Sequence, residues 1–161
     1  MNRLRFSDTD LTFEADAECS FADLEAACAK HALDLSFTAE GAHQTLGEWV
    51  EHGMPGAANS FADPVAQTLV GLVGTLHDGT QVTLRPCPRR AAGPDLRALF
   101  VGQRGLFGRI HRVWLYVGPR KAQNPRTQAP PYTEPLSSAE QDLRARLARE
   151  FAPRLPPKET P

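Results

Sequence analysis

Apolar and polar positions alternate twice in this chain with the period of a half-buried strand. Leu11 to Glu18 (LTFEADAE) sets apolar residues against acids, and Arg109 to Val117 (RIHRVWLYV) does so against basic residues. Between them, Thr68–Leu76 and Thr80–Leu84 flank Asp78-Gly79, a turn pair that accepts positive φ, and so predict a hairpin. Gly71 and Gly74 inside its first arm predict a bulge or a close backbone approach. Helical spacing of Phe21, Leu24, Cys28 and Leu35 predicts a helix from about Phe21 to Leu33, opened by Ser20 as N-cap with Asp23 as the capping-box acid. Thr45 to His52 reads as a short helix stopped by Gly53 and Pro55, and Asp95 to Val101 as another. Ser138 with Gln141 forms a further capping box, opening an amphipathic helix from about Ala139 to Phe151. Helices interleaved with a hairpin and further strands predict an α+β fold with a mostly antiparallel sheet flanked by helices.

Composition narrows this without redirecting it. The 161 residues suit one domain, with 41% hydrophobic and 23% charged positions. No apolar run has the length of a membrane span, and the polar start, Met1 to Asp10, has no signal-peptide core. Cys19, Cys28 and Cys87 form no CxxC pair, which points to free thiols and a cytoplasmic setting. Nine of the fourteen prolines lie from Pro119 onward, so 119–136 reads as a Pro-rich linker, 137–152 as the C-terminal helix and 153–161 as a frayed tail. The net charge of -1 hides an asymmetry: residues 1–63 carry -9 and residues 64–161 carry +8. Such halves either neutralise one another on packing or leave a basic surface for phosphates.

Candidate chemistry is sparse. His31, His43, His52, His77 and His111 lack metal-ligand spacing, so no metal site is expected. Ser20 and Ser60 lack a glycine-flanked elbow, so no catalytic residue is assigned. Glu48 and His52 are an i, i+4 pair expected to be a solvated ion pair. Arg85, Arg89, Arg90, Arg97, Arg104, Arg109 and Arg112 could form a phosphate-binding patch, although weak aromatic interleaving speaks against nucleic acid. The most informative stretch is Gly102-Gln-Arg-Gly105-Leu-Phe-Gly108, which is neither a Walker A loop nor a Rossmann fingerprint, since it follows a helix and opens a strand. Its glycines would let backbone N–H groups approach an anionic or planar ligand, and a tight structural turn would explain them equally.

In wider context, Ala92 to Ile110 (AGPDLRALFVGQRGLFGRI) resembles "AGYDLTRLFVGSEGTLGVI" of the vanillyl-alcohol oxidase and p-cresol methylhydroxylase family, and of its glycolate-oxidase-like FAD-linked members in particular. In the same order, Ser20 to Glu25 resembles "TWADLE", Thr45 to Val50 resembles "TIGGNVA", and Asp63 to Gly79 resembles "GDPRDQVLGLEVVLADG". The resemblance covers residues 11–118 and implies, over 1–118, the second subdomain of a PCMH-type FAD-binding domain. The first subdomain and the substrate-binding cap have no counterpart. FAD is the implied cofactor, with Thr45, Leu46, Gly47, Gly102, Gly105, Leu106, Gly108 and Ile110 as the implied binding residues. Glu48 and Trp49 depart from the family's Gly-Asn, Arg104 from its acid, Leu106 from its threonine and Pro94 from its tyrosine, which implies weak FAD binding by the chain alone.

Three readings stand on the sequence. The chain is a truncated FAD-domain protein whose redox role requires a complex, a non-catalytic scaffold that kept the fold and lost flavin binding, or, as the weakest reading, a basic-surface module for nucleotide or nucleic acid. As a family fragment it implies an oligomer, either a homodimer or a complex with a second flavoprotein subunit, meeting near Gly47, Trp49, Gly105 and Phe107.

Overall fold

The structure, a computed structural model, describes residues 3–35, 44–57, 68–86, 95–119 and 137–151. It is α+β with an antiparallel six-stranded sheet: β1 (Leu4–Ser7), β2 (Thr12–Asp16), β3 (Leu33–Leu35), β4 (Leu69–Leu76), β5 (Gln81–Leu84) and β6 (Gly108–Pro119). The order is β1-β2-β6-β4-β5, with β3 pairing the end of β6. Helices α1 (Phe21–Lys30) and α2 (Leu46–Glu51) cover one face, while α3 (Ser138–Phe151) lies later in the chain.

The long strand β6 sits at the centre because it can bury a face against everything around it. Val113, Leu115 and Val117 are fully buried, together with Phe13 and Ala15 of β2 and Leu69 and Leu72 of β4. Leu24 and Cys28 of α1 and Leu46, Trp49 and Val50 of α2 close that core, and the Phe21 ring meets the Trp49 ring edge-on at 5.3 Å.

Both strand glycines act as expected. The β4–β6 register slips between Leu69 and Gly71 and between Val73 and Gly74. A Cβ at Gly74 would come to 2.5 Å from the Phe100 ring, and one at Gly71 to 2.6 Å from the Leu84 carbonyl. The second slip leaves His111 as the extra residue, since Val73 faces Arg112 and Gly74 faces Ile110. A bulge of this kind turns neighbouring side chains to one face. Accordingly Ile110 and Val113 point inward while His111 and Arg112 point outward.

Three local expectations shift. Helix α1 has the Ser20–Asp23 capping box but stops at Lys30 rather than Leu33, because Ala32 takes φ 53° and frees Leu33–Leu35 to pair with β6. The box that opens α3 is Ser137 with Glu140, one residue earlier than Ser138 with Gln141. The helix expected over Asp95–Val101 is a single 3-10 turn, Leu96–Leu99, held where Arg97 grips Asp95 at 2.6 Å and donates to the Leu69 carbonyl. Most of the expected linker, 120–136, lies outside the described residues, as do Cys87, Arg89, Arg90, Pro94 and the tail from 152.

Candidate functional site

Helix α2 connects the two halves of the implied site. Thr45 is extended and caps it, its Oγ1 accepting from the Glu48 N–H at 3.2 Å, while the Glu48 carboxylate reaches back to the Gln44 N–H at 2.9 Å. The free amides of the first turn are satisfied by the chain leaving β2: Leu46 N–H donates to the Cys19 carbonyl and Gly47 N–H to that of Ala17 at 2.7 Å. Gly47 is glycine because a Cβ there would lie 2.8 Å from that of Ala17.

The other end of α2 carries the glycine loop. Gly102 N–H donates to the Val50 carbonyl at 3.2 Å and Arg104 N–H to that of Glu51 at 2.8 Å. His77, just before the hairpin turn, donates from its backbone to the Phe107 carbonyl and from Nε2 to the Gly105 carbonyl at 2.9 Å. Arg144 of α3 donates to the Gly102 carbonyl at 2.8 Å. Gly102 and Gly105 both take φ above 70°, which suits glycine. Gly108 is fixed differently: a Cβ there would collide with the Thr75 carbonyl across the β4–β6 pair.

The eight implied residues therefore fall in two groups, about 9 Å apart along the six residues of α2. Thr45, Leu46 and Gly47 lie at its start. Gly102, Gly105 and Leu106 lie in the loop at its end, with Gly108 and Ile110 where that loop enters β6. Leu46, Gly47, Gly108 and Ile110 are buried, while Thr45, Gly102, Gly105 and Leu106 are partly exposed and form a rim. The expected meeting face splits in the same way: Gly47 and Trp49 are covered by their own chain, with the Trp49 indole N–H donating to the Pro55 carbonyl, while Gly105 and Phe107 are partly exposed.

The loop does not fit a phosphate cradle. The amides of Gly102, Gln103, Arg104 and Leu106 all donate to carbonyls of this chain, so few remain to meet an anion. Charge is balanced as well, since the exposed Arg109 lies close enough to Glu51 to oppose the rise in its pKa. Glu48 turns to Gln44 rather than to Arg104 or His52, and His52 Nδ1 meets the Glu48 backbone carbonyl instead of its carboxylate.

Glu51 is the residue whose part the sequence did not signal. Its carboxylate is half-buried beneath the loop, 3.9 Å from where a Gly105 Cβ would stand. Burial raises its pKa above the usual glutamate value, and the Ile110 amide and the Arg109 charge oppose that shift. His77 was visible beside the hairpin turn, but its reach across 28 residues to Gly105 had no local signature.

No protein-family profile matches the chain. An uncharacterized FAD-linked oxidoreductase, YgcU of Escherichia coli K12, is 38% identical over 58 residues, which are 36% of this chain and 12% of that protein, and its O157:H7 counterpart matches equally. The chain thus spans about an eighth of the length of these relatives. Two structures of alkyldihydroxyacetonephosphate synthase, from different crystal forms, superpose with TM-scores of 0.57 and 0.58 at 18% and 19% identity. They cover 74% of this chain and 21% and 22% of those chains. The fold is therefore that of part of alkyldihydroxyacetonephosphate synthase, and the sequence is partially similar to an FAD-linked oxidoreductase, in line with the motifs.

Proposed function

We propose that the chain supplies one wall of a flavin site that a second polypeptide, either another copy or a flavoprotein subunit, completes. The carrying observation is the rim of Thr45, Gly102, Gly105 and Leu106, partly exposed along α2 and the glycine loop at positions that resemble the family's cofactor contacts. With its loop amides spent, this wall presents backbone to a planar group and leaves phosphate binding to the partner. Flavin supplies redox chemistry when bound. The role belongs in the reducing cytoplasm, which suits the buried free thiols Cys19 and Cys28, the latter pushed up to about 11 chiefly by burial. No helix among the described residues is long and apolar enough to cross a membrane.

A second reading, a scaffold that kept the fold and lost flavin, is favoured by the same spent amides and by Glu48 beside the rim. Purifying the tagged chain from its own cells, with its partner, and recording the visible spectrum before and after adding FAD separates the two. Flavin bands that co-purify with the complex support the shared site. A stable complex that stays colourless in excess FAD supports the scaffold.

A further inference from the structure

The sheet face turned away from α1 and α2 carries an open groove of about 710 Å³, lined among others by Trp114, Arg112, His111, Arg85, Thr83 and Asp10. Three features of the fold build it. The bulge at His111 sends two consecutive side chains of β6 into it. Gly71, opposite Trp114, leaves room for the indole, since a Cβ there would stand 3.1 Å from the ring. Arg112 is fixed by Glu14 at 2.9 Å and by Asp16, which its buried Nε faces at 3.6 Å. His111 is likewise held, its Nε2 lying 2.9 Å from the Thr75 hydroxyl.

The charges decide the ligand class. Arg112 is already neutralised by Glu14 and Asp16, so it shapes the groove without adding net charge to it. Asp10 lines the rim of the groove, with its carboxylate held by the Ser7 hydroxyl. Arg85 is exposed, and among the described residues no acid pairs with it. One uncommitted guanidinium, an indole platform and the Thr83 hydroxyl suit a flat ring that carries an anionic group: the ring stacks on Trp114 and the anion meets Arg85.

We propose that this face binds a planar aromatic ligand bearing a carboxylate or a phosphate. The site is independent of the flavin reading, because none of its residues belongs to α2 or the glycine loop. The chain has two tryptophans, and Trp49 is fully buried on the other face, so the indole N–H signal of Trp114 is a local reporter. The test uses the ¹⁵N-labelled full chain titrated with benzoate, with adenosine monophosphate and with cyclohexanecarboxylate, the Trp114 signal being assigned with Trp114→Phe. Expected is a saturable shift of that signal, with Trp49 unmoved, by at least one of the first two, and none by the cyclohexane acid. Binding of benzoate alone identifies a carboxylate ligand, and of the nucleotide alone a phosphate ligand. Arg85→Gln, an exposed change that leaves the fold intact, weakens binding about tenfold or more. The proposal is overturned if neither aromatic probe shifts the signal below about 10 mM. It is equally overturned if the cyclohexane acid binds as well as benzoate, or if Arg85→Gln changes nothing.

Discussion

At the level of single residues, the glycines of this chain divide by what they exclude. Gly47 sits at a position where the family resemblance implies cofactor contact, but here its missing side chain is required by Ala17, 2.8 Å from a would-be Cβ. Gly47→Ala is therefore expected to lower stability by about 1–3 kcal/mol, the usual cost of overpacking a tight contact, as read by urea denaturation of the chain without any flavin. A midpoint unchanged from wild type would show that the contact relaxes freely and that packing does not explain the glycine. Glu51 makes a different prediction. Its folded pKa is raised by burial, so the folded state holds its proton more tightly than the unfolded chain does. The stability linked to that proton is fully present below the ordinary glutamate range and is lost as pH rises through the raised folded value. Glu51→Gln, which cannot ionise, should melt a little above wild type at neutral pH, and the gap should close as pH falls toward 4.5. A gap that instead widened in acid would reverse the sign of this account.

Among the elements, those with a strong repeating pattern were legible and those made by pairing alone were not. The Asp78-Gly79 hairpin, the Ser20 cap and the long strand β6 each carry a local chemical reason. Strand β1 carries none, since Leu4–Ser7 becomes a strand only by lying against β2. Strand β3 was hidden because Leu35 continues the helical stripe of Phe21, Leu24 and Cys28 equally well. What ends α1 is a left-handed Ala32, a residue with no preference for that conformation. The bulge at His111 was invisible for a related reason: alternation in RIHRVWLYV shows a strand, not where its phase slips. The candidate site was legible as a set of motifs, but its clamps, His77, Glu51 and Arg144, come from three elements distant in sequence. Of these, His77 bonds the loop twice, through Phe107 and Gly105. His77→Ala should loosen the Gly105 carbonyl and speed tryptic cleavage after the exposed Arg104 several-fold, with the melting temperature nearly unchanged because the core lies elsewhere. Cleavage at the wild-type rate would mean that the α2 contacts alone hold the loop.

For the molecule as a whole, the acidic and basic halves of the sequence interleave rather than face outward. β2, from the acidic half, lies directly beside β6 of the basic half, and Arg112 bridges Glu14 and Asp16 across that seam. The basic half is therefore partly spent inside the fold, where Arg97 also holds Asp95. Long-range attraction for phosphates is weaker than the sequence charge of that half suggests. Combined with a glycine loop whose amides already serve α2 and its own turns, this leaves the isolated chain few ways to hold a dinucleotide. Equilibrium dialysis of the purified chain against FAD is expected to show no saturable binding below about 100 µM, an interaction weaker than about 5.5 kcal/mol. Without a positioned flavin, glycolate and lactate should not be oxidised, since the hydride or electron acceptor belongs to the cofactor and not to any side chain described here. Replacing Glu48 and Glu51 together by glutamine keeps the shape of α2 and removes two negative charges beside the rim. If charge is the main obstacle, that double variant acquires measurable FAD affinity. If it stays as unresponsive as wild type, the spent amides are the obstacle and the missing donors must come from a partner. Tight FAD binding by the unmodified chain would defeat both accounts.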